Sequence, residues 1–142
     1  MIRDLNLQLY HHDFKFDKEL NLKHPLSKAG TEYYRSRITN PMFAVYVADQ
    51  NGKLVGYVIG SSENKFRYRK GITGELENMF VLPIVRRQGV GRFLVKKLAV
   101  WLKSRQVDRI YVSAYIKSRE AVAFYQAIGF KPWEMGLEMN VK

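Results

Sequence analysis

Residues Val85 to Leu94 read VRRQGVGRFL, with two glycines, three arginines and a glutamine set between a strand-like run, LENMFVLP (76–83), and a helix-like run, LVKKLAVWLKS (94–104). Glycine at such a corner removes side chains that would hold another molecule off the backbone, and it permits φ values that aim successive N–H groups at one point. The helix that follows adds unpaired N–H groups and the positive end of its dipole. Together these predict an anion site suited to phosphate. A Walker loop would end in Gly-Lys-Ser/Thr, whereas Gly91 is followed by Arg92 and Phe93; a Rossmann fingerprint would need a third glycine where Leu94 stands. What remains is R-x-x-G-x-G, carried by Arg86, Gly89 and Gly91.

Working outward from this corner, MFAVYVADQNGKLVGYVIG (42–60) holds two β-rich runs around Asn51-Gly52, a dipeptide that supplies the positive φ values of a tight hairpin. A third run, Thr73 to Val81, follows the loop SSENKFRYRKG and is expected to pair antiparallel to the second hairpin strand. After the corner, Phe93, Leu94, Leu98, Val100, Trp101 and Leu102 recur at helical spacing, with Lys96, Lys97 and Lys103 mostly on the other side. RIYVSAYI (109–116) is a strand that an intervening helix allows to lie parallel to the one before the corner. A second helix is predicted from Ser118, as N-cap, to a stop at Gly129. At the ends, IRDLNLQLY (2–10) alternates as a half-buried strand would, and FKPWEMGLEMNVK (130–142) reads as one or two final strands. Between Phe14 and Ile38 the pattern suits one or two short helices broken near Pro25 and Gly30. The expected fold is mixed α/β (α+β), with a mostly antiparallel sheet, a central parallel pair and flanking helices, in one domain over residues 1–142.

Bulk composition narrows the function classes. The chain has 142 residues, 46% of them hydrophobic, enough for a real core. It has no cysteine, which excludes a disulfide framework, a thiolate zinc site and a cysteine nucleophile, and suits a reducing cytoplasm. No apolar run approaches the roughly 20 residues that span a bilayer, and no signal-peptide core is evident, so a cytoplasmic protein without a membrane partner is expected. The 24 Lys plus Arg against 13 Asp plus Glu leave +11, a field that draws polyanions, acidic surfaces or phosphorylated ligands. His11, His12 and His24 lack metal-ligand spacing, so no metal is expected.

The block ENMFVLPIVRRQGVGRFLVKKL, followed about thirty residues later by SREAVAFYQAIGF, resembles the GNAT superfamily of acyl-CoA N-acyltransferases. The resemblance implies an acetyl-CoA-dependent N-acetyltransferase in which an amine acceptor attacks the thioester directly in a ternary complex. It implies that Met79, Phe80 and Val81 offer backbone groups to the pantetheine amides. Arg86 belongs to the signature, and Arg87, Gln88, Gly89, Val90, Gly91 and Arg92 would line the pyrophosphate. Ser118 stands where relatives often carry a cofactor-touching Asn, and Tyr125 matches the residue that attends the CoA sulfur. Many relatives are homodimers.

An ordinary lysine-type amine, with a pKa of about 10.4, is neutral only about once in 2,500 molecules at pH 7, a handicap of roughly 4.6 kcal/mol. A carboxylate that removes the proton, directly or through water, offsets it. Glu75 and Glu77, two apart on TGELENMFV, share a face if the strand is regular. Relatives often carry the base on this strand, and Glu77 lies closer to the expected thioester. Other relatives place a Glu in the following strand, where Ser113 stands here.

KFRYRK (Lys65–Lys70) interleaves cations with rings in a way that suits nucleic acid, and equally suits a hairpin arm with one face resting on the sheet. A basic binding module of the same fold, recognising RNA or an acidic protein without catalysis, is therefore the competing reading. The acceptor's identity is left open among protein N-termini, lysines, polyamines and small-molecule amines.

Overall fold

The computed structural model describes residues 2–142. Its elements run α1 (Ile2–Asp13), a 3-10 turn (His24–Leu26), α2 (Lys28–Thr39), β1 (Phe43–Gln50), β2 (Lys53–Ser61), β3 (Thr73–Val81), a second 3-10 turn (Pro83–Val85), α3 (Val90–Ser104), β4 (Arg109–Val112) and α4 (Arg119–Ala127). One sheet, ordered β1-β2-β3-β4, is antiparallel except for the β3–β4 pair. That matches the mixed α/β expectation, including the antiparallel β2–β3 pairing and the crossover through α3.

Turn chemistry sets the hairpin. Asn51 at φ 54° and Gly52 at φ 80° give both central residues the positive φ that joins two twisted strands tightly. Two β-bulges then shift the alternation. Val55 is extra opposite Ala48 and Asp49, and Glu77 is extra opposite Ile59 and Gly60. Across the first bulge, Val55 and Val58 reach one core and Tyr57 and Ile59 the other.

Each face of the sheet is covered. Leu94, Val95, Leu98 and Leu102 of α3 pack on Val55, Val58, Leu76 and Val81, with Phe124, Tyr125 and Ile128 of α4 beside them. On the opposite face, Leu5 of α1 and Tyr34 of α2 cover Tyr57, Ile59 and Phe80. Phe93 and Val100, apolar residues of α3, point away from this core and are exposed.

Both terminal expectations are corrected. IRDLNLQLY is helical: Ile2, Leu5 and Leu9 recur at i, i+3 and i+7 and meet the second core, a spacing that competes with the alternation. Tertiary contact decides between the two, because Asn6, buried on the same helix, donates to the Tyr57 hydroxyl (3.0 Å), which donates to Asn78 Oδ1 (2.5 Å). A buried polar side chain needs such partners, and a helix supplies the angle that reaches them. At the other end, residues 131–142 form no strand. The parallel pair therefore closes the sheet at one end instead of lying in its centre.

The packing predicts a sharp contrast between two α3 positions. Leu98→Ala should cost about 2–5 kcal/mol of unfolding free energy in urea, whereas Phe93→Ala should stay within about 0.5 kcal/mol of the parent.

Candidate functional site

β3 and β4 pair only from Thr73–Arg109 to Leu76–Val112. Beyond Leu76, β3 continues for five residues beside β2 without a strand on its other side, because β4 stops at Val112 and the chain turns away toward α4. The bulge at Glu77 falls where the parting begins, and bulges bend and twist a strand locally. A cleft of about 970 Å³ follows the parting from Arg87, Gly89 and Arg92 at one end, past Met79, to Tyr10, Asp13 and Tyr115 at the other.

At the phosphate-like end, Arg87 at φ 64° and Gly89 at φ 86° turn the chain into α3, whose N-cap is Gly89 and carries no side-chain cap. The first N–H groups of α3 are thus left for an outside acceptor. A Cβ on Gly89 would meet nothing within 4 Å, so this glycine answers to backbone conformation. Gly91 has a different cause: a Cβ there would sit 3.0 Å from the Phe124 ring and 3.2 Å from Met79 Cε, so its absence lets α4 and β3 close on α3. Gln88 and Val90 do not line this cleft; their side chains border a smaller hollow beside Ala48 and Val55.

Arg86 is a clamp. Its Nε donates to the Val81 carbonyl (2.8 Å), its guanidinium lies 3.7 Å from Glu120 of α4, and it covers the Phe80 ring. The Val81 carbonyl, a backbone group expected for pantetheine, is thereby already partnered. Met79, Phe80 and Val81 do line the cleft, as does Ser118. Ser118 is buried and precedes α4, but its side chain makes no capping bond. Helix α4 ends as expected: Phe130 N–H donates to Tyr125 C=O (2.9 Å) and Gly129 N–H to Gln126 C=O (3.2 Å), with the Tyr125 and Phe130 rings 5.4 Å apart. This places Tyr125 in the cleft wall, where burial and then the Asp13 charge push its hydroxyl up to about 12.

The two strand carboxylates are not brought together. With the bulge between them, Glu75 pairs with Lys65 of the basic loop at 3.0 Å and lies off the cleft. Glu77 lines the cleft, but its oxygens accept from Arg37 Nε (2.9 Å), Arg37 Nη2 (3.2 Å) and the Tyr33 hydroxyl (2.9 Å). Burial and the Glu77 charge drive the Tyr33 hydroxyl well above its ordinary range, so this proton stays on Tyr33.

The far end holds residues that the sequence reading missed. Asp13, at the C-terminus of α1, has its carboxyl raised by burial, an effect opposed by the His12 Nδ1 contact at 3.2 Å. Tyr115 donates to Asp17 (3.1 Å), and burial followed by that bond pushes its hydroxyl up to about 12. Tyr10 is raised by burial and then by Asp13. No local signal marked this group, since Asp13 and Tyr115 are about a hundred residues apart and only the helical form of α1 joins them. Among the described residues, no group of three or more His, Cys, Asp or Glu could hold a metal ion, and no helix is long and apolar enough to cross a membrane. In the basic loop, Phe66 packs edge-on against Tyr111 (4.9 Å) and Trp133 (5.0 Å), so that ring belongs to the protein's own surface cluster.

A family model described as acetyltransferase (GNAT) family matches residues 7–130. An uncharacterized N-acetyltransferase of Methanocaldococcus jannaschii is 26% identical over 130 residues, covering 91% of this chain and 56% of its own length. The chloroplastic GCN5-related N-acetyltransferase 3 of Arabidopsis thaliana is 31% identical over 93 residues, 66% of this chain and 35% of its own. The chain thus spans little more than half of the first relative and about a third of the second. Among solved structures, a mutant of the BH1408 protein of Bacillus halodurans superposes with a TM-score of 0.83 at 19% identity, covering 99% of this chain and 91% of that one. AAC(6')-Iy in complex with the bisubstrate analogue CoA-S-monomethyl-acetylneamine gives a TM-score of 0.73 at 21% identity, over 95% and 92% of the two chains.

The two glycines of the corner should respond differently. Gly89→Ala should cost about 1–2 kcal/mol through its left-handed φ, and Gly91→Ala about 1–3 kcal/mol through overpacking. In denaturant titrations, adding Phe124→Leu should recover part of the second loss and none of the first.

Proposed function

The chain belongs to the acetyltransferase (GNAT) family, and from that premise we propose that it moves the acetyl group of acetyl-CoA onto a primary amine, with both substrates held together in the cleft. One observation carries the reading: the unpaired length of β3 and the uncapped start of α3 open into a single cleft. A strand edge suits the amide-bearing pantetheine arm, and a ring of N–H groups flanked by Arg87 and Arg92 suits its diphosphate. The absence of cysteine, a common acyl-enzyme nucleophile, supports direct transfer. AAC(6')-Iy, which shares the fold, is in complex with a CoA-linked bisubstrate analogue, and that supports CoA as the ligand.

Tyr125 attends the sulfur. A CoA thiol near pKa 8.5 is a weaker base, as its thiolate, than a tyrosinate whose hydroxyl burial pushes up to about 12, so outright proton transfer from Tyr125 runs uphill. The hydroxyl therefore stabilises the departing thiolate by donating a hydrogen bond and keeps its proton. Its hydroxyl has no hydrogen-bond partner among the described residues, which leaves it free for that task.

The amine approaches from the α1 end. Glu77, fixed in place by Arg37 and Tyr33, sets its carboxylate beside the nitrogen, which becomes positive as the C–N bond forms. Three donors already occupy its two oxygens. Asp13, raised in pKa and bonded only to His12, receives the ammonium proton instead. Glu75, tied to Lys65, takes no part in the chemistry.

Acetyl-CoA should raise the melting temperature with a dependence on ligand concentration, and thiol release across a panel of amines should identify acceptors; no shift and no turnover would overturn the reading. Tyr125→Phe should lower kcat by about 10²-fold or more. Because a hydroxyl near 12 stays protonated over the assay range, the ratio of parent to variant kcat should be flat from about pH 7 to about pH 10. Asp13→Asn should lower kcat and remove the rise in rate that accompanies deprotonation of the Asp13 carboxyl, which burial places above the ordinary carboxylate range, whereas Glu77→Gln should keep that rise and lose stability through the unpaired Arg37.

A further inference from the structure

Asn78 lines the cleft beside Glu77, and its side chain takes no part in the transfer proposed above. It lies on the α1 face of β3, with Asn6 and Tyr57, whereas its neighbour Met79 faces Gly91 of α3. Its Oδ1 accepts from the Tyr57 hydroxyl (2.5 Å) and from Asn6 Nδ2 (3.4 Å), which together use both lone pairs of the amide oxygen. These two donors also decide which way round the amide sits, because the flipped form would set Asn78 Nδ2 against Asn6 Nδ2, donor on donor. Nδ2 is left without a partner among the described residues, yet it is not a buried orphan: the buried side-chain nitrogen that lacks a partner there is Arg3 Nε. Asn78 Nδ2 therefore reaches open space, and the open space that Asn78 borders is the cleft.

A locked amide whose oxygen is fully used can only donate. The wall it shares with α1 is otherwise of two kinds: apolar at Leu9 and Leu20, and acidic at Asp13, two helical turns or about 10 Å along α1 from Asn6. An amine drawn to Glu77 and Asp13 thus brings its neighbouring atoms to a neutral pair of N–H groups. A second amino group at that point would set N–H against N–H, and an alkyl group would leave the Asn78 donor with nothing to bond; an unpaired donor shut off from water is the costly outcome. A hydroxyl accepts from Nδ2, but its own hydrogen then needs an acceptor that this amide no longer has. A carboxylate accepts as well, but its charge falls beside those of Glu77 and Asp13. A carbonyl oxygen needs only the donor.

We propose that Asn78 selects the acceptor by donating from Nδ2 to a carbonyl oxygen on the carbon next to the one that bears the amine, so that the substrate class is the α-amino amide: an amino-acid amide or the N-terminal residue of a peptide. The inference rests on the acetyl-transfer reading and narrows its acceptor. Asn6 and Tyr57 are positioning residues in it, because they hold the amide of Asn78 and do not line the cleft themselves.

Thiol release from acetyl-CoA, followed with glycinamide, the peptide Gly-Gly-Gly, propylamine and 1,2-diaminoethane, tests this. In the parent, kcat/KM per neutral amine should be about 10-fold or more higher for glycinamide or the peptide than for propylamine, and the faster of the first two identifies the source of the carbonyl. Asn78→Asp keeps Oδ1 for Tyr57 and Asn6 and puts an acceptor of the same shape where the donor was. It should lower the ratio of glycinamide to propylamine kcat/KM about 10-fold and raise 1,2-diaminoethane, whose second ammonium suits a carboxylate, above both. A general loss of folding or activity would not reverse a preference in this way, and the parent's own panel needs no variant to fold. Propylamine matching glycinamide in the parent, or a ratio unmoved by Asn78→Asp, would overturn selection by Asn78 and leave acetyl transfer standing. Acetyl-CoA that neither shifts the melting temperature nor releases thiol with any of the four amines would overturn both.

Discussion

β3 has two different neighbours, and the change from one to the other organises this molecule. At Glu75 and Leu76 it is held on both sides, by β2 and by β4. Beyond Leu76 it is held by β2 only, and the side that loses its strand becomes the wall of the cleft. Backbone N–H and C=O groups must be paired or reach solvent or a ligand. A half-paired strand set in a folded core is therefore a recognition surface by construction. The bulge at Glu77 belongs to the same arrangement, since it adds bend where the partner is lost and turns the Glu77 carboxylate toward α2.

The two layers of helices serve that strand in different ways. α3 and α4 fasten the phosphate-like end, through Gly91 under Phe124 and through Arg86, which ties the Val81 carbonyl toward Glu120. α1 and α2 fasten the other end through polar bonds: Asn6 to Tyr57 and Asn78, and Arg37 with Tyr33 to Glu77. Buried polar networks of this kind specify one arrangement because every alternative strands a donor or an acceptor. Placing α1 in this way carries Asp13 to the cleft, so that end of the cleft depends on a side chain, Asn6, that does not line it.

Signals within a few residues of one another were legible without the structure. Asn51-Gly52 marks the hairpin, the Gly89 corner marks the strand-to-helix turn, and AFYQAIGF marks the α4 stop that seats Tyr125, because each is set by local φ values or by contacts one helical turn apart. The two ends of the chain were not. IRDLNLQLY satisfies both a period of two and a spacing of three to four, and only the waiting Tyr57 and Asn78 select the helix. WEMGLEMNV carries a strand pattern that no strand of the described chain answers.

The sequence by itself determined the element order from β1 to α4, the glycine corner before α3 and the family to which the chain belongs, since periodicity, turn residues and short motifs act over a few residues. The tertiary structure alone decided the partners of the charged groups. Whether a carboxylate is tied to a cation or faces the cleft depends on which groups the fold brings against it. Arg37 is 40 residues from Glu77, and Tyr115 is 98 residues from the Asp17 it bonds. No local pattern encodes those distances; they follow from how the sheet parts and how the helices settle against it.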